Sequence, residues 1–147
     1  MPQAAKKRVV VVEDHPVARS AIVRLINQEP GLEVAGNADD TAVALRIIAR
    51  RLPDVVTMDI RLKDSGGIEL IREITVRWPE LPVIVFSMHD EVAYAQRVLD
   101  AGGRGYVSKG ERPEKLLEGI ERVIRGEIFV SDHVGAKLLD GVAGGAK

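Results

Sequence analysis

Short apolar runs alternate with longer stretches in which apolar residues recur every three or four positions, and the alternation continues from Arg8 to about Arg125. Arg8 to Glu13, Leu32 to Gly36, Val55 to Met58, Val83 to Phe86 and Gly105 to Ser108 are short and mostly rich in Val and Ile, as strands covered on both faces should be. Leu32 to Gly36 is the most polar of them and is expected at a sheet edge. Between the runs, Ala18, Ala21, Ile22 and Leu25 form one helical stripe. Leu45, Ile48 and Ala49 form a second within Asp40 to Arg51, with Asp39 or Asp40 as its cap. A third helix is predicted from about Gly67 to Arg77, stopping at Trp78 because the residue before Pro79 is pushed out of the helical region. Val92, Ala95 and Leu99 support a fourth, closed by Gly102 and Gly103, residues suited to positive φ at a helix end. Pro113 suits the first turn of a fifth, whose apolar face is Leu116, Leu117, Ile120, Val123 and Ile124 before Gly126.

Five such pairs with a polar second strand predict an α/β fold. Its doubly wound parallel sheet would have five strands in the order 2-1-3-4-5, with helices on both faces in three layers and a ligand crevice at the carboxyl ends of the strands. After Gly126 the pattern lapses into a stretch containing Gly135, Gly141, Gly144 and Gly145, where only Val134, Leu138 and Leu139 suggest a short helical turn. The expected division is therefore a folded unit over 7–127 and a linker over 128–147.

Composition narrows the function without changing this picture. The 147 residues are 46% hydrophobic and 29% charged, an ordinary globular balance. With 21 Lys+Arg against 22 Asp+Glu, the formal charge of −1 gives no long-range attraction toward nucleic acid or an anionic membrane. No cysteine is present, which removes disulfides and thiolate chemistry and suits a cytoplasmic location. The apolar run Val9 to Val12 is ended by Glu13, too soon for a signal-peptide core. No membrane association is expected.

The chemistry is expected where the strands end. Glu13 and Asp14 follow the first strand, Asp59 the third, Ser87 the fourth and Lys109 the fifth, and in a parallel sheet these ends converge on one edge. Three neighbouring anions call for a hard divalent cation bound through a couple of carboxylates, a carbonyl and water, a description that fits Mg²⁺. A carboxylate in such a site can attack phosphorus, while an ammonium neutralises the transferring group and a hydroxyl donates to it. Taken singly, each residue has an ordinary explanation: a solvated acid pair, a turn cap, a helix cap and a surface lysine. Their joint placement at convergent strand ends is what favours the functional reading. His15, His89 and His133 have no metal-ligand spacing and are expected to be loop residues.

The stretches VVVVEDHPVARSAIVRLI, PDVVTMDIRLKDSGGIEL, VIVFSMHD and AGGRGYVSKGERPEKLLEGIERVIRGEIFVS resemble the receiver domain of bacterial two-component response regulators of the NarL/FixJ (LuxR-type) family, over about residues 7 to 130. The resemblance implies a flavodoxin-like, CheY-like fold in which Asp59 accepts a phosphoryl group from a sensor histidine kinase. It implies that Asp14, Asp59 and the backbone carbonyl of Arg61 hold Mg²⁺, with Glu13 assisting through water. Ser87 and Lys109 would contact the acyl phosphate, and Tyr106 would be the aromatic that turns inward when the hydroxyl at Ser87 moves toward the phosphate.

This sequence departs from the family pattern at Lys63, where proline is frequent, at the Gly66-Gly67 pair, at Ser87 in place of threonine and at Gly110 after Lys109. None of these removes a functional group. The implied function is a phosphorylation-controlled switch, with at most slow self-catalysed loss of the phosphoryl group, and not a conventional enzyme. It would control transcription through a C-terminal helix-turn-helix domain lying beyond this chain, the only route to DNA, and possible phosphorylation-dependent homodimerisation is expected on the fourth helix, fifth strand and fifth helix or on the first and fifth helices. The alternative is a stand-alone receiver acting in a phosphorelay or by protein–protein contact. A hydrolase or phosphotransferase on a similar sheet is the rival from another class, and the absence of GxxxxGK[ST] and GxGxxG counts against a nucleotide enzyme.

Overall fold

The computed structural model describes residues 5–62, 66–88, 92–132 and 134–136, without the side chains of Val92 and Ala93. Its elements are β1 (Lys7–Val12), α1 (Pro16–Asn27), β2 (Leu32–Ala38), α2 (Thr41–Arg51), β3 (Val55–Met58), α3 (Gly67–Arg77), β4 (Val83–Ser87), α4 (Val92–Asp100), β5 (Gly105–Ser108), α5 (Glu114–Ile124) and β6 (Phe129–Val130). The strands form one parallel sheet in the order β2-β1-β3-β4-β5-β6. The doubly wound order is therefore as expected, with one strand added outside β5.

Strand alternation divides the core into two. Val10, Val12, Val56, Met58, Val83, Val85 and Tyr106 face the layer of α2, α3 and α4. Val9, Val11, Val55, Ile84, Phe86 and Val107 face α1 and α5. Two-sided burial is why the central strands read as continuous apolar runs.

The helix ends follow local chemistry. His15 caps α1 by accepting the Ala18 N–H at Nδ1, with Pro16 in the first turn. Asp40, rather than Asp39, caps α2 by accepting the Val43 N–H at 2.8 Å. The third helix spans the predicted residues and stops at Trp78. Gly102 takes φ 109° after α4, whereas Gly103 stays out of the left-handed region. Within the stripes, burial falls one position away from several expected residues. Ile22 and Ile26 are buried on α1 while Ala21 is exposed, Ala44 and Ile48 are buried on α2 while Ala49 is exposed, and Val98 rather than Leu99 is buried on α4.

The largest departure is after α5. Residues 129 and 130, expected in the linker, form β6, and Ser131 and Val134 are fully buried. The folded body thus reaches at least Val134. Lys63, His89, His133, Leu138 and Leu139 lie outside the described residues.

Candidate functional site

The β1, β3, β4 and β5 strands end side by side, and their ladder continues slightly past the last strand residue of each. The Asp59 N–H donates to the Val12 carbonyl at 3.1 Å, and the Lys109 N–H donates to the Ser87 carbonyl at 2.7 Å. This backbone scaffold brings Glu13, Asp59, Ser87 and Lys109 together from loci that are up to 96 residues apart in sequence.

Each oxygen of Asp59 has a donor. Oδ1 accepts from the Arg61 N–H at 2.9 Å and from the Ser87 hydroxyl at 3.3 Å, and Oδ2 accepts from Lys109 Nζ at 3.0 Å. Lys109 Nζ also donates to Glu13 Oε1 at 2.5 Å. The other oxygen of Glu13 accepts the His15 N–H at 3.2 Å, and Arg19 Nη1 donates to the Glu13 carbonyl at 2.9 Å. Glu13 is only 1% exposed, and the side chains of Lys109 and Asp59 are 14% and 13% exposed. Asp14 is half-buried at the rim.

Burial and desolvation of its charge push the Glu13 carboxyl above its ordinary pKa. Asp59 adds to that shift, against the opposing pull of Lys109. Burial alone would lower the Lys109 ammonium, but its bond to Glu13 and the charge of Asp59 outweigh that and hold it above the ordinary lysine value. The lysine is thus a fixed cation shared by two carboxylates, with the Phe86 ring 5.8 Å from its Nζ.

Among the described residues, no group of three His, Asp or Glu side chains is gathered into a metal cage. Mg²⁺ is ordinarily held through one or two carboxylates together with water rather than by an all-protein cage. Glu13, Asp14, Asp59 and the Arg61 carbonyl supply hard oxygen donors of that kind at one sheet edge, so the donor chemistry fits the ion.

Tyr106 is fully buried on β5, in the core cluster that faces α4. Gly67 opens α3 for a steric reason, since a Cβ there would come within 2.1 Å of the Ile60 carbonyl oxygen. The second glycine of the Gly66-Gly67 pair is therefore set by close backbone approach. Sequence reasoning overlooked the contact of Arg61 with Tyr94, whose hydroxyl it meets at 3.1 Å while its guanidinium lies 5.9 Å from the ring centre. It also overlooked Arg19. A long-range partner for an arginine leaves no periodic signal, although Arg19 sits one helical turn beyond His15, facing the site.

A family model described as the response regulator receiver domain matches residues 9–121. The chain is 31% identical over 134 residues to the transcriptional regulatory protein DegU of Brevibacillus brevis, covering 91% of this chain and 57% of that protein. It is similar to a two-component response regulator of the LuxR family from Aurantimonas sp. SI85-9A1, with a TM-score of 0.91, 32% identity and coverage of 95% of this chain and 99% of that one. It is also similar to the isolated REC domain of RcsB from Salmonella enterica serovar Typhimurium, solved in the presence of the phosphomimetic BeF3⁻, with a TM-score of 0.82, 26% identity and coverage of 90% and 99%. The chain spans about three-fifths of the length of the curated relatives it matches.

Proposed function

This chain belongs to the response regulator receiver domains, and we propose that Asp59 is its phosphoacceptor, receiving the group from a sensor histidine kinase. The observation that carries this reading is the donor set around one carboxylate, with the Arg61 N–H and the Ser87 hydroxyl on Oδ1 and Lys109 on Oδ2. An Asp59 oxygen attacks the donor phosphorus, the phosphorus–nitrogen bond of the phosphohistidine breaks, and the imidazole leaves with the electron pair.

Lys109 neutralises charge gathering on the transferred group, and Ser87 offers a hydrogen bond to one of its oxygens. Glu13, Asp14, Asp59 and the Arg61 carbonyl would hold Mg²⁺, which supplies further charge neutralisation when bound. Burial of Glu13 beside Lys109 keeps that lysine oriented. The output is a conformation, with slow hydrolysis of the acyl phosphate as the only turnover. The receiver body runs from about residue 7 to Val134, and the chain after it leads toward a transcriptional output domain that would make the DNA contacts. Phosphorylation-dependent homodimerisation and a cytoplasmic location complete the reading. No helix among the described residues is long and apolar enough to cross a membrane.

The test is intact-mass measurement after incubation with a small acyl phosphate and Mg²⁺. One phosphoryl group per chain is expected in the natural sequence and none in Asp59→Asn. Undiminished labelling of that variant refutes the assignment.

A further inference from the structure

The chain turns back after α5, with Gly126 at φ 92°, and lays Phe129–Val130 parallel to β5, with Gly105 opposite Phe129 and Tyr106 opposite Val130. The fit is specific. A Cβ on Gly119, in the middle of α5, would come within 2.8 Å of the Phe129 ring, and Arg122 of the same helix lies 5.9 Å from that ring's centre. A helix-interior glycine, ordinarily unfavourable, here makes room for the strand that follows.

The same segment is pinned along the length of β5, and its Ser131 reaches the end that carries the site. The Phe129 N–H donates to the Arg104 carbonyl at 2.9 Å and the Ser131 N–H to the Tyr106 carbonyl at 3.0 Å. In return the Ser108 N–H donates to Ser131 Oγ at 3.3 Å, a buried contact. Ser108 immediately precedes Lys109, whose Nζ bridges Glu13 and Asp59. Val134 belongs to the core cluster that contains Tyr106, and Val130 packs against it.

We propose that β6 and Ser131 form an edge clip on β5, and that docking of this clip is coupled to the charge at Asp59 through the continuous stretch Tyr106, Ser108 and Lys109. The inference rests on the reading of Asp59 as the phosphoacceptor. Added anionic oxygens at Asp59 anchor Lys109 more firmly, steady the end of β5 and hold Ser131 and Phe129 in place. The segment that leaves the receiver toward any following domain is thereby held more tightly in the phosphorylated state.

Residue-resolved amide exchange by NMR tests this on the whole chain, with Mg²⁺ and beryllofluoride as a stable phosphoryl mimic and the β2 amides as internal reference. The amides of Phe129 and Ser131 are expected to exchange about fivefold more slowly with the mimic bound, the lower end of ordinary coupling between sites. Binding of the mimic with no change at those two amides overturns the clip coupling and leaves the Asp59 assignment standing. Failure of the mimic to bind the natural chain counts against the Asp59 assignment instead, and Lys109→Met then decides the coupling without any mimic. That variant should speed exchange at Phe129 and Ser131 more than in β2, and uniform or absent acceleration overturns the proposal. Ser131→Ala leaves Asp59 and Lys109 in place and gives the reciprocal measurement. Its affinity for the mimic should fall by the factor by which clip exchange loses its response, whereas unchanged affinity with a loosened clip overturns the coupling.

Discussion

Replacing Lys109 with methionine keeps most of the aliphatic stem and removes the ammonium that Glu13 and Asp59 share. Removing one partner of a buried ion pair ordinarily costs about 3 to 5 kcal/mol, because the remaining charge is left uncompensated. Lys109 retains 14% side-chain exposure, which places the expectation at the lower end, about 3 kcal/mol at neutral pH in metal-free buffer. For a chain of this size that corresponds to a drop of roughly 6 to 12 °C in Tm. The penalty should also shrink toward acid. Glu13 already has a folded pKa raised by burial, and loss of Lys109 raises it further. A group that binds its proton more tightly folded than unfolded destabilises the fold above its folded pKa and ceases to do so as pH falls through it. The contribution of Lys109 in the natural chain is fully present below its unfolded pKa and is lost only as pH rises through its raised folded value, so it stays constant over the acid side. Urea midpoints for both chains at about pH 7.5 and about pH 5 read the difference directly. A deficit that is equal or larger at the lower pH, or under about 1 kcal/mol at the higher one, refutes the buried-charge account.

Ser87→Ala should leave Asp59 open to phosphorylation but weaken the conformational shift, because one charge-assisted hydrogen bond offers about 1.5 to 3 kcal/mol against the roughly 5.5 kcal/mol that a near-complete two-state shift requires. An activated NMR spectrum identical to that of the phosphorylated natural chain would refute a role for the hydroxyl. Gly119→Ala gains up to about 1 kcal/mol of helix propensity but drives a Cβ to 2.6 Å from Ile84 Cδ1 and 2.8 Å from Phe129 Cδ2. Overpacking of about 1 to 3 kcal/mol should win, so a raised denaturation midpoint counts against the tight fit of β6. Leu52 ends α2 in the left-handed region at φ 46° with its side chain 65% exposed. Leu52→Gly should therefore raise stability by a few tenths of a kcal/mol, after the gain from relieved strain is set against glycine's greater unfolded freedom, and a lowered thermal midpoint would show that the leucine side chain contributes to packing.

The order of the sheet was legible because strands buried on both faces need continuous apolar residues, and Val9 to Val12 and Val83 to Phe86 have little else. The site was legible for a related reason. Charge is so costly between two helical layers that a carboxylate or ammonium directly after such a run has to stand at the sheet's open end, as Glu13, Asp59 and Lys109 do. The sixth strand was not legible, since two residues between a glycine turn and a glycine-rich stretch carry no period. Its sequence trace lies elsewhere, in Gly119, a small residue on the apolar face of α5 whose reason is the ring of Phe129. The shifts of burial within α1, α2 and α4 have a common cause. Stripes read from composition admit alanine and leucine on either flank, while the pleat of the sheet selects which of the neighbouring positions meets it, Ile26 over Leu25 and Val98 over Leu99.

The placement of Lys109 also alters the account of how the acidic residues coexist. Sequence alone suggests three carboxylates that repel one another until a divalent cation arrives. In the structure two of the three already share an ammonium at 2.5 and 3.0 Å, and Asp14 is half-buried. The hydrogen bond and charge of Lys109 oppose the repulsion that Asp59 exerts on Glu13. The Glu13–Lys109 pair thereby serves the integrity of the fold, while in the reading proposed above Glu13, Asp14, Asp59 and the Arg61 carbonyl remain the oxygens a cation would meet. On the proposed reading of Asp59 as the phosphoacceptor, an incoming phosphoryl group would meet a lysine already in position, so the reorganisation that charge transfer demands would be confined to the hydrogen bonds of Asp59 and to whatever β5 carries with it.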